Sequence, residues 1–524
     1  MNGAHALIRT LVDHGIDTCF MNPGTSEMHF VAALDDVPEM RGVLALFEGV
    51  ATGAADGYAR MSGRPAAVLL HLGPGLGNGL ANLHNARRAH SPVLAIVGDH
   101  AISHRRHDAP LQSDITSAAC NVSPWVWTSE DTATLGADAV EALIAAHGPP
   151  GAVATLVLPA DVSWGEGGVV APLSVEGLGT APSPGLMPDI AVLEAAAAAL
   201  RSGEPAAVLI GGRVCSGPLL EAAADLAATS GARLFAETFP ARLERGVGRV
   251  PVDRLAYLAE FAAMQLDGIR HLVLLDAPSP VSFFAYPGKA SDLVPEGCTV
   301  HTTVTPHDDA AQAVAALAEL VGARPGAAPR QTGGRPDLPS GALTAQAVCQ
   351  AVGALLPDGA IVSDEGATST LFAPGSTSGA GPHDWLTLTG GAIGQGLPVA
   401  LGAAVAAPDR RVVALEADGS ALYTFQALWT MAREGVDVTT VIFNNRSYAV
   451  LNMELDRVGV EGAGPRARDM LDLSRPDLDF VSLASGLGVP ATRADTAEGF
   501  NEALGRALAT PGPSLIEAMV PPLL

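Results

Sequence analysis

Positive charge is in short supply in this chain. Thirty lysines and arginines stand against 55 aspartates and glutamates, a formal net charge of −25 over 524 residues. That balance argues against a nucleic-acid backbone or an anionic membrane surface as partner. Charge of either sign is also scarce, at 16%, against 48% apolar residues, which suits large buried α/β cores and not disorder. Cysteine is sparse and unpatterned. Cys19, Cys120, Cys215, Cys298 and Cys349 include no CxxC pair, so neither a zinc site nor a disulfide framework is indicated. They read as buried apolar residues of a cytoplasmic protein. The opening MNGAHALIRTLVDHG lacks the unbroken apolar core of a signal peptide. One uncharged run, Leu386 to Pro408, is long enough to span a bilayer, but it carries Gln395, Pro398 and several glycines. A buried loop and helix is the better reading.

The length predicts roughly three or four domains. Two Gly/Pro-rich breaks, Gly165 to Pro188 and Gly322 to Gly341, mark linkers between compact units. They leave pieces spanning 1–165, 186–322 and 342–524. The first and third read as distant copies. ALIRTLVDHGIDTCFMNPGTSE and ALTAQAVCQAVGALLPDGAIVSDEGATS both run helix, strand, then small-residue turn. GPGLGNGLANLHNARRAHSPVLAIVGD and GGAIGQGLPVALGAAVAAPDRRVVALEAD both run glycine loop, helix, turn, apolar strand and Asp. Strands alternating with helices predict three doubly wound parallel sheets. The middle piece is expected to be Rossmann-like, but its Gly211-Gly212 lacks a full GxGxxG, so a dinucleotide site there is weakly indicated.

The stretch with the most chemistry is ALEADGSALYTF, where an apolar strand ends in Asp418-Gly419-Ser420. Twenty-seven residues beyond Asp418, a second apolar strand ends at Asn445, in VIFNNRSYAVL. In a parallel sheet, ligands collect at the carboxyl ends of the strands. A carboxylate, an amide oxygen and a backbone carbonyl there, completed by phosphate oxygens and water, meet the octahedral demand of Mg²⁺. Glycine permits close backbone approach, and following helix N-termini favour the anion.

These features resemble the thiamine diphosphate (ThDP) enzymes of the pyruvate decarboxylase and acetolactate synthase type, over essentially the whole chain. The family pattern is Gly-Asp-Gly-Ser followed by Asn-Asn, with Ala417 here in place of the first glycine. The resemblance implies a three-domain order of pyrimidine-binding, central and diphosphate-binding domains. It implies Mg²⁺ held by Asp418, Asn445 and the Ser447 carbonyl, a diphosphate touching Gly419 and Ser420, and Tyr448 at the cofactor. Glu48, in LFEGVATGAADGYARMSG, falls where the family holds the pyrimidine ring of ThDP. A carboxylate there gives its proton to a ring nitrogen and promotes the imino tautomer that activates thiazolium C2. Ile393, in GGAIGQGLP beside Gly391, matches the apolar residue that bends the cofactor. Glu365, Gly366 and Ala367 are candidate cofactor contacts.

Among family members, benzoylformate decarboxylase is nearest in motif. By that resemblance His71, in LLHLGPG, is the acid/base and Thr25, in NPGTSE, a substrate contact. Phe283 and Phe284 occupy the stretch where that enzyme has a second histidine. Val450 takes an apolar pocket position, and Glu454 replaces an aromatic residue. Loss of one proton shuttle favours carboligation over protonation, the choice made by acetolactate synthase, which often carries FAD in its central domain; the residues leave FAD open. The leading reading is a ThDP- and Mg²⁺-dependent 2-oxo-acid decarboxylase or carboligase, with an aldehyde or ketone as second substrate. Alternatives are acetolactate synthase proper, a non-catalytic partner subunit and, more remotely, a NAD dehydrogenase. The resemblance also implies a homodimer or homotetramer with active sites at chain interfaces.

Overall fold

A computed structural model describes residues 1–172, 185–460 and 462–522. The first expected linker therefore lies partly outside the described residues.

Among the described residues eighteen strands form three sheets, whose inner members are short apolar runs largely buried on both faces, as parallel strands covered by helices must be. The first sheet holds β1 (Thr18–Asn22), β2 (Arg41–Leu44), β3 (Ala66–Leu70), β4 (Val93–Asp99), β5 (Trp125–Thr128) and β6 (Val153–Pro159), all parallel, in the order β2-β1-β3-β4-β6-β5. In the middle of the chain come β7 (Ala206–Ile210), β8 (Arg233–Ala236), β9 (Leu243–Arg245), β10 (Asp253–Arg254), β11 (His271–Leu275) and β12 (Thr299–Val304). The central sheet runs β10-β8-β7-β11-β12 and leaves β9 out. The last six strands are β13 (Ile361–Glu365), β14 (His383–Thr387), β15 (Val412–Ala417), β16 (Val438–Asn444), β17 (Ala491–Ala494) and β18 (Ser514–Met519), ordered β17-β18-β16-β15-β13-β14-β9.

The exception is β9. It belongs by sequence to the middle piece yet pairs antiparallel with β14, matching Leu243 to Trp385. Three residues carry too little pattern to betray that crossing, and the pairing covers an edge that would otherwise stay open. The expectation for cysteine also needs correction. Cys19, Cys215 and Cys349 are buried, but Cys120 is exposed and Cys298 half-buried; all five are free.

The likeness of the first and third pieces is real. Helix Gly3–Asp13, β1 and the 3₁₀ turn Thr25–Glu27 recur as helix Ala345–Leu355, β13 and the 3₁₀ turn Ala367–Thr370. The two domains meet where helix Glu48–Ser62 crosses helix Gly396–Ala406. Small residues make the crossing possible: a Cβ on Gly57 would sit 2.2 Å from the Val399 carbonyl oxygen, and one on Gly402 1.8 Å from that of Ala54. The Asp-Gly-Tyr-Ala-Arg end of the first helix locks it. Arg60 pairs with buried Asp56 and donates to the Thr387 carbonyl, while Ser91 donates to Asp56. The uncharged Leu386–Pro408 run is the end of β14, a glycine loop and that crossing helix, 11 residues long. Among the described residues no helix is long and apolar enough to cross a membrane.

Candidate active site

Glu48 opens its helix at the N-terminus, where the helix dipole favours a carboxylate. It is buried, 7% exposed, and its Oε2 accepts from Asn78 Nδ2 at 3.0 Å. His71 follows β3 and stands at the N-cap position of helix Leu72–Arg88. The two side chains flank Gly75, whose absent Cβ would lie 3.1 Å from Glu48 Oε1 and 3.4 Å from His71 Cβ. Leu72, next to His71 in the chain, has φ 51°, a left-handed conformation that costs a branched residue energy and recurs at functional turns.

Behind His71 stands a residue the sequence reading missed. Glu27 is fully buried, and its Oε2 is 2.8 Å from His71 Nδ1. The same carboxylate accepts from the Gly24 amide at 2.7 Å and from Ser26 Oγ at 2.8 Å, which fixes its rotamer. The imidazole is thereby held with Nδ1 toward Glu27. Only the close packing of β1 against β3 brings residue 27 to residue 71; the available signal was an acid two places after Thr25. Thr25 is exposed and forms no hydrogen bond among the described residues.

At the other domain, Asp418 and the Asn445 loop come together as their strand ends predict. Asp418 is 1% exposed; Oδ1 accepts its own Gly419 amide at 2.8 Å and Oδ2 the Arg446 amide at 2.6 Å. Burial pushes this carboxyl up to about 6. Asn445 Oδ1 accepts from the Ser447 amide, and Arg446 between them has φ 58°. Tyr448 closes on Gly419, where any Cβ would be 2.3 Å from its ring. Ser420 Oγ reaches toward the Glu365 carbonyl at 3.4 Å.

Glu365 ends β13 but turns its carboxylate inward, accepting the Gly394 amide at 2.7 Å and the Gly396 amide at 2.6 Å. It therefore shapes the glycine loop that carries Gly391 and Ile393. Burial raises its carboxyl to about 7. Its register partner on β15, Glu416, is wholly buried, neither of its oxygens is hydrogen-bonded among the described residues, and burial followed by the nearby Glu365 raises it well above the carboxylate range. Gly366 packs on Thr370, and Ala367 (φ 50°) is exposed beside it. Asn82 bridges the domains, donating to the carbonyls of Gly49 and Gly394.

The third wall comes from the central domain. Phe283 presses on Gly391, where a Cβ would lie 2.7 Å from its ring, and stacks with Phe239, Tyr257 and Phe284. Val450 and Glu454 lie on helix Ala449–Arg457. Glu454 Oε1 accepts from the Tyr257 hydroxyl at 3.4 Å and pairs with Arg457, whose guanidinium sits over the Tyr286 ring. The sequence alone assigned Glu454 to the pocket and gave no sign of these partners.

Comparison with known proteins agrees with this geometry. The family described as "Thiamine pyrophosphate enzyme, N-terminal TPP binding domain" matches residues 1–119, and its C-terminal TPP binding domain matches 368–518. A Mycobacterium tuberculosis protein provisionally named acetolactate synthase large subunit IlvX is 59% identical over 100% of both chains. This chain belongs to the thiamine diphosphate-dependent enzymes. Benzoylformate decarboxylase of Pseudomonas aeruginosa is 33% identical, with 96% of each chain covered. Among solved structures, the ThDP-dependent 4-hydroxybenzoylformate decarboxylase of Rhodococcus jostii RHA1 superposes with a TM-score of 0.85 at 25% identity, covering 99% of both chains. Relatives thus include both decarboxylases and acetolactate synthases, the two classes the motifs suggested.

The residues at both ends of the site fit ThDP. Glycines 391, 394 and 419 stand where a Cβ would collide with a neighbour, and a buried carboxylate faces the Asn445 turn. No cluster of three or more His, Cys, Asp or Glu side chains suited to a metal occurs among the described residues. Asp418 with Asn445 is a sparser donor set, one that calls on a ligand's own oxygens to complete an octahedron.

Proposed function

We propose that this protein is a ThDP- and Mg²⁺-dependent 2-oxo-acid decarboxylase or carboligase, organised as domains 1–165, 186–322 and 342–524. The observation that carries the proposal is the convergence of Glu48 and His71 on Gly75, with Glu27 behind the imidazole. Bound ThDP supplies the carbon nucleophile and the electron sink for loss of CO₂. Asp418, Asn445 and the Ser447 carbonyl hold the Mg²⁺ that anchors the diphosphate, and Gly419 and Ser420 line it. Glu48 holds a proton toward the pyrimidine ring, Ile393 supports the bend of the cofactor, and Glu365 keeps the Gly391–Gly396 loop in shape. With Nδ1 of His71 engaged by Glu27, Nε2 is the nitrogen that moves protons at the substrate. Thr25 offers its unpaired hydroxyl to the substrate carboxylate. Phe283, Phe284 and Val450 form the apolar side of the pocket, closed by Glu454 and its tyrosine partners.

A second reading, carboligation of the acetolactate synthase type, is favoured by Phe283 standing where the decarboxylase resemblance predicts a second histidine. An inert partner subunit is disfavoured, because Glu48, His71, Asp418 and Asn445 have no joint use outside catalysis. The test is CO₂ release from a panel of 2-oxo acids, with and without aldehyde acceptors. CO₂ release with the corresponding aldehyde as product supports the decarboxylase; CO₂ release with a ligated product, whether the acceptor is an added aldehyde or a second molecule of the 2-oxo acid, supports the second reading. No release from any 2-oxo acid by protein loaded with ThDP and Mg²⁺ refutes both.

A further inference from the structure

In an open α/β sheet, a nucleotide binds outside the strand ends at the switch in strand order. In the central domain that point lies between β7 and β11, with the turn Gly211–Cys215 on one side and Asp276–Ala277 on the other. FAD, where a member of this family carries it, is expected in this domain. A diphosphate needs free backbone amides on such a turn and room for the backbone to face it.

Neither is available between Gly211 and Val214. The Gly211 amide donates to the Leu275 carbonyl and the Val214 amide to the Gly211 carbonyl, both at 3.0 Å. The Gly212 amide is taken by Glu237 Oε1 at 3.0 Å and the Arg213 amide by Asp276 Oδ2 at 3.0 Å. Arg213 then fills the space above. Its Nε donates to Asp276 at 2.9 Å, and its terminal nitrogens donate to the carbonyls of Asp308, Thr305 and Pro306 on the loop after β12. The two loops touch: a Cβ on Gly211 would lie 2.6 Å from the Asp276 carbonyl oxygen and 2.9 Å from Ala277 Cα. The following helix, Gly217–Ser230, places Pro218 in its first turn, where an amide donor is lost.

We infer that the chain's own carboxylates, Glu237 and Asp276, occupy the positions of a diphosphate in the central domain and that Arg213 seals them in, so that this protein takes neither FAD nor another dinucleotide. The Asp276 carboxylate is already paired within the fold, by Arg213. A diphosphate entering would meet that carboxylate and displace an arginine from several acceptors. The inference goes beyond the decarboxylase reading and does not depend on it.

The experiment uses the full chain, produced with riboflavin in the medium and saturated with ThDP and Mg²⁺ to fill any diphosphate site in the third domain. Absorbance at the flavin band and mass spectrometry of acid-released nucleotides report what co-purifies; calorimetric titrations with FAD and with ADP report what binds. The expected result is no flavin band, no released FAD or ADP and no saturable heat. Flavin approaching one per chain, or saturable binding of FAD or ADP, overturns the inference. A parallel titration of apo-protein with ThDP and Mg²⁺ reads the cofactor site separately, so failure there is distinguishable from failure here.

Discussion

The carboxylate of Glu27 lies 2.8 Å from Nδ1 of His71, and neither Gly24 nor Ser26 leaves it free to turn away. A buried acid held this way orients an imidazole and fixes which ring nitrogen faces the substrate, as in other carboxylate–histidine pairs. Replacing His71 with Ala is expected to cut turnover by about a hundredfold or more, the usual cost of a lost general acid/base. Glu27→Gln keeps the shape but removes the charge. Its expected loss is about tenfold or more in kcat with little change in KM, because the imidazole loses the partner that orients it. Steady-state kinetics checks this; wild-type kcat in Glu27→Gln would confine Glu27 to a packing role.

How much of this was legible beforehand follows from the range of the interactions. Asp418, Asn445 and Glu48 sit at the ends of apolar runs, so local pattern and spacing expose them. The paired halves were readable because helix, strand and turn repeat in the same order. Glu27 was not, because only the β1–β3 pairing brings it to His71. Glu365 was named as a cofactor contact, but its side chain faces the Gly394 and Gly396 amides, a contact 29 or more residues away in sequence. Glu416 carried a signal that went unread: an acid inside VVALEA is a buried charge in a strand otherwise apolar. Strand β9 was invisible, since its partner is a domain away.

Glu48 and His71 touch the same glycine but are expected to act at different moments. Glu48→Ala should slow exchange of the thiazolium C2 proton of bound cofactor even without substrate. Asn78→Ala, which frees the Glu48 carboxylate from its 3.0 Å hydrogen bond, should slow it less. His71→Ala should leave exchange nearly intact. Quenched-flow NMR of the deuterium exchange separates the three; equal slowing in Glu48→Ala and His71→Ala would mean that the histidine also serves the cofactor.

Asp418 is the carboxylate that accepts the Arg446 amide of the Asn445 turn, and among the described residues its two oxygens accept only backbone amides. Its replacement by Ala should therefore abolish ThDP binding unless Mg²⁺ is in large excess. Chelation of the wild-type protein should weaken ThDP binding in the same way, because the ion and the diphosphate complete each other's coordination. Calorimetric titration of ThDP at several Mg²⁺ concentrations measures both. Undiminished affinity in Asp418→Ala would remove it from the metal site.

Glu237 offers a pH test away from the active site. Burial raises its carboxyl to about 7 from 4.5. A raised acid favours the folded state while protonated. Its contribution is full below about pH 4.5, falls as pH rises through about 7, and is then level. Allowing for its partial exposure, the change is about 2 kcal/mol. Glu237→Gln should flatten that part of the stability curve and leave the variant more stable than wild type near pH 8. Urea melts at pH 5, 6, 7 and 8 provide the comparison; parallel curves for the two proteins would contradict the assignment.

The last prediction concerns which chain supplies which half of the site. Within one chain, Asn82 already ties Gly49 to Gly394, and the two flanking helices cross closely. Glu48 and Asp418 still belong to different domains, and the two similar halves suit an arrangement in which each site is shared between two copies. Under that proposal, a Glu48→Ala chain and an Asp418→Ala chain are each inactive, but a hybrid dimer places both lesions in one site and leaves the other whole. Random exchange of equal amounts makes about half of the dimers hybrid, each with one intact site, so about a quarter of wild-type activity should return. Were each site built within a single chain, every site in the mixture would carry one lesion. Activity should then stay at the level of the separate variants, even with exchange demonstrated by native mass spectrometry.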